Sequence, residues 1–324
     1  MQYVKRLDEI AIAEHQETGG KAANLGEMIR RGFNVPGGFC VTGKSLDYLL
    51  EAGQILPKIV SIVATMDFDA YDDIETKSTE IRQMITDAEI PVDLHGEIVE
   101  QIQALRSPSG EDPFVAVRSS VAVKDSAISS FPGMMDTYHF VKGQEQVIEH
   151  IRRCWASLFT TRAAYRRHQQ NIPQDKGVIA PIVQKMVHAD VAGVLFTANP
   201  ISNARDEFMI ESNWGLGESV VSGEAIVDYF IVSRDTPRRI KEKRVQNKNM
   251  MVTIDREKGM GRKKYELTGN MVTNCTLSDE QLFELAEVGA KTEAMFDYPQ
   301  DIEWAYEKGE LFILQSRKVK GLKD

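Results

Sequence analysis

The chain has 324 residues, 42% of them hydrophobic and 27% charged, enough for two or three packed units and unlike a disordered segment. No run of about 18 apolar residues is present and the N-terminus has no apolar signal core, so neither a membrane helix nor a leader is expected. A net charge of −9 argues against a nucleic-acid binder, and three scattered cysteines, Cys40, Cys154 and Cys275, argue against disulfides or a zinc site and for a reducing cytoplasm.

Gly20 to Arg31 reads as a helix, with Leu25, Met28 and Ile29 as its apolar stripe and Gly32 as its stop. "FNVPGGFCVT" then reads as turn and strand. Residues 45–105 are mostly helical in pattern, and Pro108 to Pro113 is a loop. "FVAVRSS" is a buried strand ending in polar residues. Val147 to Gln170 gives the longest helix pattern, with Val147, Ile151, Trp155, Leu158 and Phe159 on one side. After Pro181 the chain turns to strands: "IVQKMV", "AGVLFTAN", "EFMIES" and "DYFIVS". Ser278 opens a helix to Met295, with Gln281 completing a capping box. The change at Pro181 predicts two lobes, a mixed one over 1–181 and a β-rich one over 182–320. A ligand cleft between them is the usual expectation.

The closing stretch, Tyr298 to Arg317, predicts a hairpin. Side chains alternate along a strand, so Asp301 and Glu303 share a face, as do Gln315 and Arg317. A three-residue loop over Glu307, Lys308 and Gly309 pairs Tyr306 with Glu310 and sets Asp301 opposite Gln315. Two hard-oxygen ligands, a second acid and a guanidinium on one wall suit a magnesium-bound polyphosphate. A solvent-facing hairpin with ordinary polar residues is the plain alternative.

Four further segments carry candidate chemistry. In "TGGKAANLGEM", Gly19 and Gly20 lead into a helix N-terminus that favours an anion, and Lys21 adds a full charge. The Walker A spacing is absent, and a plain helix entry remains open. In "AVRSSVAVKDSAISSFPGMMDTYH", Arg118 ends an apolar strand, where a guanidinium needs an anion, and Ser119 and Ser120 offer hydroxyls. Ser129, Ser130, Pro132 and Gly133 make a turn-rich loop able to cover phosphates with backbone amides, and Met134 and Met135 suit a lid; a surface loop whose methionines fill a local gap is the alternative. In "IVQKMVHADVAGVLFTANP", Gln184, Met186 and Val187 lie on a strand that can meet a purine edge; an ordinary buried strand is the alternative. In "IESNWGLGESVVSGE", Glu211 suits a metal or a sugar hydroxyl beside the turn at Gly215 and Gly217, or is part of a core turn. Arg234 to Lys264 also stands out, with twelve Lys or Arg against four Asp or Glu. It is a solvated hairpin surface or a docking face for an acidic partner.

Together these segments resemble the ATP-grasp nucleotide-binding region of phosphoenolpyruvate synthase, pyruvate phosphate dikinase and rifampicin phosphotransferase. The resemblance covers about Gly19 to Arg317. Its motifs stand in family order: "GGKAANLGEM", "VPGGFCVT", "AVRSS", "FPGMMDTY", "VQKMV", "AGVLFTANP", "WGLGESVVSG", "PQDIEWAY" and "LFILQSR". "FPGMMDT" is nearer the dikinase loop, and "VRSS" and "DIEWA" are nearer the synthase. The resemblance implies an α+β ATP-grasp fold of two lobes with the nucleotide in the cleft between them. It further implies that Lys21 and Arg118 hold the ATP phosphates. Phe131, Pro132, Gly133, Met134, Met135 and Thr137 match the phosphate-covering loop. Gln184, Met186 and Val187 match the strand beside the adenine. Glu303 and Gln315 match the Mg2+ ligands, and Asp301 and Arg317 match the acidic and basic neighbours of the phosphates. Glu211 carries over less securely. Lys21, Arg118 and Arg317 are the expected catalytic cations.

In that family ATP gives its β-phosphoryl group to a histidine on a swivelling domain, leaving AMP and phosphate, and the phosphohistidine then phosphorylates a final acceptor. None of the six histidines here, His15, His95, His139, His150, His168 and His188, has the "TSHAA"-like context of that residue. The expected partner is therefore a phosphohistidine-bearing domain or subunit, with a small acceptor such as phenol or pyruvate bound elsewhere. The tail "KVKGLKD" reads as a natural end, which favours a stand-alone subunit, as in phenylphosphate synthase, over a truncated chain. A nucleotide-sensing regulatory protein without phosphotransfer is the alternative from another class.

Overall fold

A computed structural model describes residues 2–124 and 136–322. The expected phosphate-covering residues Phe131, Pro132, Gly133, Met134 and Met135 lie outside the described residues, as do Ser129 and Ser130. The chain forms two compact units, residues 1–30 with 37–186, and residues 31–36 with 187–324.

The first unit contains, in order, β1 (Val4–Arg6), α1 (His15–Arg30), β2 (Gly38–Val41), α2 (Gly43–Ala52), α3 (Leu56–Ala64), α4 (Tyr71–Asp87), α5 (Val92–Ala104), β3 (Val115–Val123), β4 (Thr137–Val141), α6 (Gln144–Ala156), α7 (Thr161–Gln169) and β5 (Gly177–Lys185). Its sheet runs β1-β2-β5-β3-β4, and every neighbouring pair is antiparallel. Alternation along β3 sends Val115, Val117, Val121 and Val123 into a large core with Ile151 and Trp155 of α6 and the apolar faces of α2, α4 and α5. The other face carries Ala116, Arg118 and Ser120, and α1 packs there.

Two sequence expectations change in this unit. The single helix expected over Val147 to Gln170 is two helices, because Thr160 accepts the Ala163 amide at 3.2 Å and starts α7 as its N-cap. Pro181 does not mark the division of the chain, which falls after Met186. Pro181 lies inside β5 opposite Ser119. It is tolerated there because pairing of β5 with β2 stops at Ile182, so the missing N–H breaks no ladder bond at that position.

The second unit contains β6 (Val191–Phe196), β7 (Glu207–Trp214), α8 (Glu218–Val221), β8 (Asp228–Ser233), β9 (Ile240–Arg244), β10 (Met250–Ile254), β11 (Arg262–Glu266), α9 (Asn270–Thr273), α10 (Asp279–Phe296), β12 (Gln300–Glu307) and β13 (Glu310–Lys318). Its antiparallel sheet runs β13-β12-β6-β7-β8-β9, with β10 and β11 as a separate hairpin. Residues 31–36 join this unit because Asn34 holds the outer edge of β13. Its carbonyl accepts Ile313 N–H at 2.9 Å, and its side chain donates to the Leu311 carbonyl at 2.9 Å. The capping box at Ser278 and Gln281 forms as expected. α10 covers the sheet face of Ile302, Trp304 and Tyr306, where Tyr306 donates to Glu284 at 2.7 Å. Gly289 allows that close packing, since a Cβ there would meet Leu195 and Phe208 at 3.0–3.3 Å.

The basic block is largely neutralised inside this unit. Ten of its twelve Lys and Arg side chains ion-pair with acids of the same unit. That fits a solvated, self-paired surface better than a docking face. Lys248 is the exception in burial. It and Asp228 are fully buried and meet at 2.8 Å, and Asp228 also accepts the Gln246 amide and the Thr276 amide and hydroxyl.

Candidate functional site

In the first unit, the helix carrying Lys21 is interrupted at Gly19, whose φ of 73° and ψ of 161° are non-helical. A second helical run therefore starts at Gly20, with a fresh N-terminus at Lys21. Lys21 also lies near the buried Cys154 thiol. Burial pushes that thiol up to about 12, and the Lys21 charge opposes the rise.

Arg118 sits within β3 rather than at its end. It is 9% exposed and donates to Gln184 Oε1 at 3.1 Å. Thr137 is its direct cross-strand partner on β4, and the Ser119 hydroxyl donates to the neighbouring Asp136 carbonyl at 3.1 Å. The structure thus brings Arg118, Gln184 and Thr137 to one face of one sheet, the face on which the Lys21 helix packs. Met186 donates its amide to the Phe114 carbonyl at 2.9 Å, just past the end of β5.

In the second unit the hairpin differs from expectation in two ways. Its turn has two residues, Lys308 and Gly309, both with positive φ (51° and 82°), so Glu307 pairs with Glu310. A bulge then inserts one extra β13 residue, Leu314, between the Trp304–Ile313 and Glu303–Gln315 pairs. Asp301 therefore stands opposite Arg317, not Gln315. The turn and the bulge each move the register by one residue, and two such steps restore the original facing. All four polar groups do share one face, the one opposite α10.

Their contacts are specific. Gln315 Nε2 donates to Glu303 Oε1 at 3.0 Å. Arg317 donates to Asp301 Oδ2 through Nε at 2.8 Å and pairs through Nη2 at 2.7 Å. Asp301 Oδ1 is buried without a hydrogen-bond partner among the described residues. Burial pushes the Asp301 carboxyl above the usual carboxylate range, and Arg317 opposes that shift. Such an atom is costly unless a cation or donor meets it.

The register also places Glu211. It pairs with Val194, and Val194 pairs with Glu303 on its other side. Gln315, Glu303, Val194 and Glu211 thus form one cross-sheet row on the same face. Burial alone raises the Glu211 carboxyl. Beside this row Val187, Ala192 and Ala305 form a small buried apolar cluster, with Ala189, Phe312 and Leu314 packed against it. Of these the sequence singles out only Val187; the others are ordinary apolar positions until the register brings them together.

Among the described residues no three His, Cys, Asp or Glu side chains converge on one metal position. Glu303 with the Gln315 amide is a two-residue hard-oxygen set. That is the usual protein share of a magnesium ion that takes its remaining ligands from phosphates and water, so the residues fit Mg2+. Among the described residues no helix is long and apolar enough to cross a membrane.

Residues 15–324 match the family model described as the pyruvate phosphate dikinase AMP/ATP-binding domain. A probable phosphoenolpyruvate synthase of Methanocaldococcus jannaschii is 40% identical over 324 residues, covering 100% of this chain and 27% of the relative. The phosphoenolpyruvate synthase of Pyrococcus furiosus is 37% identical over 361 aligned residues, covering 99% of this chain and 44% of the relative. The rifampicin phosphotransferase of Bacillus cereus is 36% identical over 318 residues, covering 98% of this chain and 36% of the relative. This chain spans less than half the length of each. Its mixed helix-and-sheet architecture agrees with the α+β, ATP-grasp-like fold expected of such domains. With the match extending over nearly all its residues, the chain belongs to the pyruvate phosphate dikinase AMP/ATP-binding domain family.

Proposed function

We propose that this chain binds ATP with Mg2+ and forms the nucleotide half of a dikinase-type phosphotransferase. It delivers the β-phosphoryl group of ATP to a histidine on a separate domain or subunit, and AMP and phosphate are the products. A small acceptor, such as pyruvate or phenol, then receives the phosphoryl group away from this chain. The observation that carries the reading is the alignment of Glu303, Gln315, Asp301 and Arg317 on one sheet face. The names of the relatives support the reaction class.

Phosphoryl transfer asks a protein mainly to position the reactants and neutralise charge. Lys21 and Arg118 serve the phosphate oxygens as cations. Gln184 fixes the Arg118 guanidinium through its amide oxygen. Arg317 is held by Asp301 and presents its charge beside the metal ligands. Glu303 and Gln315 would hold Mg2+, which when bound offsets the charge of the polyphosphate. The Val187, Ala192 and Ala305 cluster offers an apolar seat for the adenine, and Glu211 serves the ribose hydroxyls or the metal.

Calorimetric titration with ATP, with and without Mg2+, tests the binding step. Mg2+-dependent binding is the expected result, and absence of binding under both conditions overturns the reading. Formation of AMP on adding a histidine-bearing partner then separates a phosphotransferase from a nucleotide sensor.

A further inference from the structure

Ser120 follows Arg118 by two residues on β3, so both side chains leave the same sheet face. Ser120 is fully buried, and its Oγ accepts the Ala22 amide at 3.2 Å. That amide lies in the first turn of the helical run that restarts after Gly19. First-turn amides have no partner within their own helix, and a side-chain oxygen just before the helix normally supplies one. Here the preceding residue is Gly19, which has no side chain. The Thr18 hydroxyl is engaged elsewhere, donating to the Glu14 carbonyl at 2.9 Å. The cap therefore comes from a strand 98 residues away in sequence.

The fit is tight. A Cβ at Gly19 would fall 2.6 Å from both the Ser120 carbonyl carbon and the Val121 amide nitrogen, and closer still to Ser120 Oγ. Only glycine lets the turn lie against β3 at that point. Gly20 and Lys21 are the two residues between that contact and the capped Ala22 amide.

We propose that Ser120 is a positioning residue for phosphate binding. Its hydroxyl caps the Lys21 turn from β3 and thereby fixes the spacing between the Lys21 ammonium and the Arg118 guanidinium. The proposal rests on the ATP reading above, and it assigns Ser120 an effect exerted through Lys21 rather than on the nucleotide itself.

A double-mutant cycle in the full chain tests it, with Mg2+–ATP affinity as the readout. Ser120→Ala weakens binding about fivefold, the size expected for loss of one capping acceptor. In a Lys21→Ala background the same change has no further effect. Should Ser120→Ala fail to fold, as judged by its melting curve, Ser120→Cys replaces it, since the thiol is a poorer acceptor of similar size. Wild-type affinity in the Ser120 variant overturns the proposal. So does an equal loss in both backgrounds, because a general packing defect does not depend on Lys21. Either result leaves the ATP reading standing. A wild-type chain that binds no Mg2+–ATP overturns both.

Discussion

Gln315 stands directly opposite Glu303 on the closing hairpin and donates its amide to the Glu303 carboxylate at 3.0 Å. The bond turns the two side chains toward one another, so neither can be changed without disturbing the other. Glu303→Ala and Gln315→Ala should each weaken ATP binding in the presence of Mg2+ by about tenfold or more, in line with about 1.4 kcal/mol or more for a charge-assisted contact. Affinity measured without Mg2+ should change little. An unchanged affinity in Mg2+ would remove these residues from the metal site.

Arg118 is buried on β3 and tethered by Gln184. Arg118→Ala should reduce AMP formation with a histidine-bearing partner by ~10³ to 10⁵, the worth of an arginine acting on the phosphoryl-transfer transition state. Arg118→Lys should restore little, because an ammonium lacks the planar fork that reaches Gln184 and a phosphate together. Near wild-type partner phosphorylation in the Ala variant would refute the assignment.

Burial raises the Glu211 carboxyl above the ordinary carboxylate range. A carboxyl with a raised folded-state pKa holds its proton more tightly in the native chain than in the unfolded one. Native stability then falls as pH climbs from the unfolded value through the raised one. Glu211→Gln removes that penalty. The variant should melt at a higher temperature than wild type at about pH 7 and converge with it below about pH 3, where the carboxyl is protonated in both states. A variant that melts lower at neutral pH would show that Glu211 has a stabilising partner.

The Asp228–Lys248 pair is fully buried and ties the start of β8 to the segments at Gln246 and Thr276. Asp228→Ala leaves a buried ammonium without its carboxylate. Urea unfolding should show a loss of about 3–5 kcal/mol. A loss under about 1 kcal/mol, the level of an exposed pair, would mean that Lys248 finds other solvation.

Much of the site was legible because short periodicities survive in sequence. Alternation alone put Asp301 and Glu303 on one face, and Gln315 and Arg317 on one face. What it missed was the register between the strands. Turn length depends on whether Lys308 accepts a left-handed backbone, and the Leu314 bulge has no composition of its own. The facing came out right because the two departures move the register by two residues in all. The break at Thr160 was missed because the apolar stripe continues across it, while the N-cap depends on one hydroxyl turning back on the chain. The sequence left the basic block open between a solvated surface and a docking face, because several of its counter-charges, such as Glu287 for Arg238, lie far away in sequence.

By itself the sequence determined most of the longer elements, their apolar faces and the family motifs, because backbone period and side-chain chemistry are local properties. Only the tertiary structure decided the row from Gln315 through Glu303 and Val194 to Glu211, the pairing of Arg317 with Asp301, and the capping of the Lys21 turn by Ser120. Each of these joins residues distant along the chain. Such contacts are set by strand register and by which buried donors must find acceptors, and neither condition exists until the sheets form.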